Sequence, residues 1–164
     1  PHVKRLVDEM NVFMPEKKIK ILLKLEKLPT FSIDPDRTMQ VLRNLINNAI
    51  KFSPENSNII ITVKNKKDNI YFSVKDNGAG IPKKSQSRIF EPFFQAEQTI
   101  YWGHSGTGLG LAICKGIIES QKGKIGFKSI PKKGTIFYFT VPKKPVKSIK
   151  PIKLLFSSGS SLRL

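Results

Sequence analysis

Two β-rich runs, NIIITVKN (58–65) and NIYFSVKD (69–76), are separated only by KKD. So short a connection reads as a hairpin, which makes this part of any sheet antiparallel. A second pair repeats the arrangement. KIGFKSI (124–130) and TIFYFTVP (135–142) turn at PKKG. Two helical patterns are set around the first hairpin. SIDPDRTMQVLRNLINNAIKF opens with Asp34 as N-cap and Pro35 at the first helical position. Leu42, Leu45, Ile46 and Ala49 then form one apolar stripe, and Pro54 follows its end. LGLAICKGIIESQ (109–121) is the second helix, and KIKILLKLEKL (18–28) reads as a strand before the first. A short helical piece is expected near SQSRIFEPFF (85–94), and residues 95–107 read as a mobile loop.

The order is strand, long helix, hairpin, loops, helix, hairpin. It implies an α/β (α+β) two-layer sandwich: a mixed, largely antiparallel sheet with helices packed on one face. The β-α-β alternation of a Rossmann domain is not present. VKRLVDEMNVFM (3–14) adds an amphipathic helix at the start, with Val3, Leu6, Val7, Met10, Phe13 and Met14 at helical spacing.

At 164 residues and 39% hydrophobic content, the chain has one domain's length and enough apolar material for a core. No run of about 18 apolar residues occurs, so no transmembrane helix is expected. The start PHVKRLVDEM has no signal-peptide pattern, and without an initiator Met the expectation is a fragment. One cysteine, Cys114, excludes an internal disulfide and reads as a small buried hydrophobe. With only His2 and His104, a Cys/His zinc site is not expected. Against 12 acidic residues stand 29 basic ones, a net charge of +17 that attracts nucleotides, nucleic acids and acidic partners. The lysines are scattered without interleaved surface aromatics, so they read as solvated surface, and no specific nucleic-acid partner is expected. Residues 143–164, basic and with SSGSS, read as a disordered tail.

Three patterns carry chemistry. Asn44, Asn48 and Lys51 fall at i, i+4 and i+7, on one helix face offset from the apolar stripe. An amide oxygen can ligate Mg²⁺, and an ammonium can neutralise phosphate. DNGAGIP (76–82) closes a strand; its Asp76 can accept from the exocyclic amine of a base, while Gly78 and Gly80 permit sharp turns. GTGLG (106–110) places Gly106, Gly108 and Gly110 at the start of a helix, where backbone N–H groups can bind phosphate without a Walker lysine. Each pattern alone also fits an ordinary helix face or turn.

In this order the motifs resemble the ATP-binding catalytic domain of sensor histidine kinases, within the superfamily of gyrase B, Hsp90 and MutL. DPDRTMQVLRNLINNAIKFSP looks like the N box, DNGAGIP like G1, IFEPFFQ like the F box and SGTGLGLAI like G2. The resemblance covers roughly 19–142 and implies a Bergerat-type fold that binds ATP and Mg²⁺. Asn48 then resembles the metal-ligating Asn, Asn44 the polar residue one turn before it, and Lys51 the lysine near the phosphates. Asp76 resembles the adenine-binding Asp, with Gly78, Gly80 and Ile81 shaping that end. Gly106, Thr107, Gly108, Leu109 and Gly110 resemble the G2 segment, and Phe90, Phe93 and Phe94 the F box that anchors a lid.

The superfamily's ATPases carry a Glu one turn before the metal-binding Asn, as general base for water. Here that position is Asn44, which implies a phosphoryl donor poor at hydrolysis. The resemblance implies a histidine-phosphoacceptor and dimerisation domain as partner, a response regulator downstream, a homodimeric whole protein and a cytoplasmic location, on its own or as the cytoplasmic portion of a membrane-anchored sensor. His2 is followed by Val3 and lies too near the N box to be the acceptor. Residues 1–18 look like the end of the dimerisation segment, with an exposed apolar stripe. Ahead of G2, WGHS (Trp102, Gly103, His104, Ser105) replaces the family's basic run, which leaves open a nucleotide-binding module with impaired transfer.

Overall fold

The computed structural model describes residues 2–12, 18–28, 33–96 and 106–143. They form α1 (His2–Val12), β1 (Lys20–Leu25), α2 (Pro35–Phe52), β2 (Asn58–Asn65), β3 (Asn69–Lys75), α3 (Gly110–Ser120), β4 (Lys124–Ile130) and β5 (Gly134–Pro142). The expected Phe13 and Met14, the loop residues Trp102 to Ser105 and the tail from 144 lie outside the described residues.

The strands make one sheet in the order β1-β2-β3-β5-β4. β1 pairs parallel with β2, with α2 as the connection between them, and the other neighbours are antiparallel. The sheet is thus mixed, with two hairpins docked to each other through β3 and β5. Strand alternation sends Ile59, Ile61, Val63, Ile70, Phe72, Val74, Phe137, Phe139 and Val141 to one face, all buried. Phe72 faces Phe139 across the strands, their rings 4.7 Å apart and nearly parallel.

α2 covers this face with Val41, Leu42, Leu45, Ile46, Ala49 and Ile50. Its start is fixed as the sequence implies: Arg37 N–H donates to the Asp34 carboxylate at 3.0 Å, with Pro35 in the first turn. Such a cap contributes about 1 kcal/mol. α3 packs beside α2 through Cys114 and Ile118.

Three differences from the sequence reading stand out. The apolar stripe of α1 is covered within the chain: Leu6, Val7 and Met10 are at most 5% exposed, in contact with α2 and β1. Glu9 joins Arg5 at 3.0 Å and Arg43 of α2 at 3.2 Å. An isolated 11-residue helix is marginal in water, so docking its apolar stripe is what makes it form. The helical piece near 85–94 is instead a 3-10 turn at Lys83–Ser85 followed by turns. Pro92 disfavours helical backbone at Glu91, and Phe93 adopts φ 61. On the open face of the sheet, Tyr71 and Tyr138 stack at 5.9 Å, so aromatics do stand among the lysines.

Candidate nucleotide-binding site

At the end of β3 the backbone of Asp76 pairs with Thr135 at the start of β5, its N–H donating to the Thr135 carbonyl at 2.9 Å. The side chain is pulled into the core, 6% exposed. The Gly78 N–H (2.8 Å) and the Thr135 N–H (3.1 Å) both donate to its Oδ1. Burial pushes the carboxyl above its usual range, and those two bonds pull the other way. The following loop is tied to the β4–β5 hairpin. Ile81 N–H donates to Ser129 Oγ at 2.8 Å, and Lys132 N–H to the Ala79 carbonyl at 2.6 Å. Gly80 is required here: its φ is +67, and a Cβ would lie 2.2 Å from the Ile130 carbonyl oxygen.

A cavity of about 300 Å³ opens above Asp76, between α2 and the start of α3. Asn48 and Lys51 reach it from α2, and Gly106, Thr107, Gly108, Gly110 and Leu111 from the other side. Its apolar wall is Ala79, Ile81, Pro82, Ile89, Phe94, Leu111 and Phe137. The polar groups therefore sit at two ends of an apolar slot, the usual composition of a small-molecule site.

α3 begins at Gly110 without a side-chain cap, so the N–H groups of its first turn keep their positive end toward the cavity. Gly108 has φ +71, and a Cβ would meet the Phe93 backbone at 2.6 Å. Phe93 N–H donates to the Gly108 carbonyl at 3.1 Å, which locks the 85–94 segment to this helix start. The Lys51 ammonium lies near Gly106, whose Cβ would be 3.1 Å from Nζ, and partial burial lowers its pKa.

Most of the residues singled out in the sequence meet here: Asn48, Lys51, Asp76, Gly80, Ile81, Gly106, Thr107, Gly108 and Gly110 all line the cavity. Asn44, Gly78, Phe90 and Leu109 stand behind its walls. Asn44 Nδ2 donates to the Gly110 carbonyl at 3.5 Å, joining α2 to α3. It also contacts the Cys114 thiol, whose pKa burial pushes up to about 11. Phe90 packs on Phe127, and Leu109 N–H donates to Thr107 Oγ1 at 3.4 Å. Thr135, Phe137, Ser129 and Gln86 were missed. Gln86 Nε2 donates to the Ile81 carbonyl at 3.0 Å, and nothing in the local pattern marks it. The GT of KGTIFYF was the available signal for Thr135.

A buried carboxylate thus faces a bare helix start across an apolar slot. Known proteins show the family. The family described as histidine kinase-, DNA gyrase B- and HSP90-like ATPase matches residues 33–145, and the chain belongs to it. Within that family its relatives are sensor histidine kinases. Sensor histidine kinase WalK of Bacillus subtilis (strain 168) is 43% identical over 114 residues, covering 68% of this chain and 19% of that protein. The catalytic domain of histidine kinase ThkA superposes with TM-score 0.71 at 33% identity, over 88% of this chain and 96% of that one. Full-length ShkA in complex with AMPPNP gives TM-score 0.77 at 30% identity, over 90% of this chain and 30% of that one. The chain spans between about an eighth and just over a third of the length of the curated relatives it matches.

Proposed function

We propose that the cavity binds ATP with Mg²⁺ and that the domain donates the γ-phosphoryl group to a histidine on a separate dimerisation and phosphoacceptor domain. The observation that carries this reading is Asp76: a buried carboxylate whose Oδ1 is engaged by two backbone N–H groups. Oδ2 is thereby left to accept from the exocyclic amine of adenine, with Ile81, Leu111 and Phe137 against the ring faces. The triphosphate then runs toward Lys51 and the first-turn N–H groups of α3.

The donor set fits Mg²⁺ brought in on the phosphates. Among the described residues no cluster of three His, Cys, Asp or Glu could cage a metal. The cavity offers two side-chain amides, Asn48 and Gln95, and Gln95 Nε2 already donates to the Gly106 carbonyl. Mg²⁺ commonly keeps waters and binds through one or two protein groups plus substrate phosphates. When bound, it would neutralise charge building on the β- and γ-phosphates. Asn48 would hold it, and Lys51 and the α3 N–H groups would share the remaining charge. In transfer, the bond from the γ-phosphorus to the β,γ-bridging oxygen breaks. A bond to the acceptor imidazole nitrogen forms, and ADP leaves with the electron pair. Asn44 cannot take a proton from water, and its amide is turned to the Gly110 carbonyl. Hydrolysis is therefore slow, and transfer waits for the acceptor.

In this reading residues 19–142 are the kinase domain and residues 1–18 end the dimerisation segment. The domain works in the cytoplasm, on its own or as the cytoplasmic portion of a membrane-anchored sensor, and the whole protein is a homodimer acting on a response regulator. Among the described residues no helix is long and apolar enough to cross a membrane. The test is to mix the chain with labelled ATP, Mg²⁺ and the phosphoacceptor domain. Acid-labile phosphate on the acceptor is expected, together with negligible phosphate release from the chain alone. Brisk partner-free ATPase activity would sink the hydrolysis argument. Binding without transfer would leave a nucleotide-sensing module.

A further inference from the structure

The face of the sheet turned away from the helices carries its own pattern. Strand alternation and register place Lys20 and Lys24 of β1, Lys64 of β2, Lys75 of β3, and Lys124 and Lys128 of β4 on it, every one exposed. No Asp or Glu occupies a strand position of this face. Glu26, just past β1, has its carboxylate accepting from the Asn65 N–H at 3.0 Å. Among the described residues, none of the six lysines is held in an ion pair. At the centre Tyr71 and Tyr138 stack on each other, and Tyr138 lies over Gly126, whose Cβ would fall 2.7 Å from its hydroxyl. Two aliphatic side chains share the face and stay in water: Leu22 at 42% and Ile130 at 59% exposed.

We propose that this open sheet face docks on an anionic phospholipid bilayer. Charge complementarity gives the sign of the partner, since six like charges on one face repel one another until an anionic surface meets them. Each lysine near such a surface adds to the attraction. The layout separates a bilayer from other polyanions. The tyrosine rings lie against each other and against Gly126 rather than standing free to sandwich bases. Polar-tipped aromatics and aliphatics among lysines suit the headgroup region. The described chain leaves the sheet at the end of β5, and the residues that follow, KKPVKSIKPIKLLF, are again basic and apolar with no acid. The cavity lies on the helix side of the sheet, so a docked domain keeps it open.

The experiment is co-sedimentation of the full chain with phosphatidylglycerol-containing vesicles and with phosphatidylcholine vesicles, at low and at physiological salt. Three chains are compared: the parent, a face variant (Lys24→Glu, Lys64→Glu, Lys128→Glu), and a helix-side variant (Lys4→Glu, Arg37→Glu, Lys115→Glu) with the same change in net charge. The parent is expected to bind the anionic vesicles and not the neutral ones. The face variant should lose at least tenfold in affinity, and the helix-side variant less than twofold. Thermal unfolding checks that both variants fold; if a triple variant does not, the single Lys64→Glu and Lys115→Glu pair makes the same comparison. Equal losses in both variants would overturn the proposal, because net charge alone would then explain binding. So would a parent that ignores anionic vesicles, or one that prefers a single-stranded oligonucleotide or polyglutamate at matched charge.

Discussion

The two ends of the cavity are built on opposite plans. At one end Asp76 is almost wholly buried and held by two backbone N–H bonds, in a loop tied to β4 and to the turn that follows it. At the other, Gly106 and Thr107 are exposed, Lys51 is half-buried, and an ammonium, amide groups and a helix start face the cavity together. The difference follows from desolvation. One buried hydrogen bond discriminates strongly because its loss leaves a polar group unpaired. Charges in contact with water are individually weak and add up. Recognition of the base should therefore behave as all-or-none, and hold on the phosphates as graded.

Asp76→Asn tests that contrast most strongly. The amide oxygen can still accept from Gly78 and Thr135, so the fold is kept, but the ligand amine now competes with an amide N–H₂. Nucleotide affinity by calorimetry should fall at least a hundredfold while thermal stability holds or rises. Unchanged affinity would remove Asp76 from the site. Asp76→Ala should add a stability loss of about 1–3 kcal/mol for each orphaned N–H. Next comes Gly108→Val. It forces a β-branched residue into φ +71 against the Phe93 backbone and should cost at least 2 kcal/mol of stability, with affinity falling more than tenfold. Lys51→Gln should be the mildest of the binding changes, lowering affinity about three- to tenfold with a reduced salt dependence. A hundredfold loss there would break the comparison.

The smallest effect is in pH. Because the folded pKa of Asp76 is raised, the native state holds that proton more tightly than the unfolded chain. Its contribution to stability is full below the unfolded value of about 3.9 and is lost as pH rises through the raised folded value. In the proposed site the carboxylate accepts from the base amine, so affinity should climb through the same window. In Asp76→Asn both slopes should flatten, as measured by unfolding and titration across pH 4–7.

Much of this was readable along the chain because it is local. Asp34 and Pro35 fix the start of α2, and the two short connections fix the hairpins. The spacing of Asn48 and Lys51, the turn at Gly80 and the helix start at Gly110 are local too, and residues of all three patterns line the cavity. Thr135 was not readable, because its N–H reaches Asp76 from 59 residues away. Gln86 and Ser129 clamp the loop through side chains whose types fit any surface. The short helical piece expected near 85–94 is a 3-10 turn at Lys83–Ser85 followed by turns, because Pro92 and the Gly108 contact, the second of them distant in sequence, decide the backbone there. Asn44 was placed on the right face, but its role as a tie to Gly110 needed the second helix in position.

By itself the sequence determined the elements, their order and the chemistry available, since periodicity, caps and glycine freedom act within a few residues. Only the tertiary structure decided which end of the slot is dry. It also decided that the stripe of α1 closes on α2 and β1, and that lysines from four strands gather on one open face. Those outcomes depend on strand register and on helix docking, which bring together residues that share no local pattern.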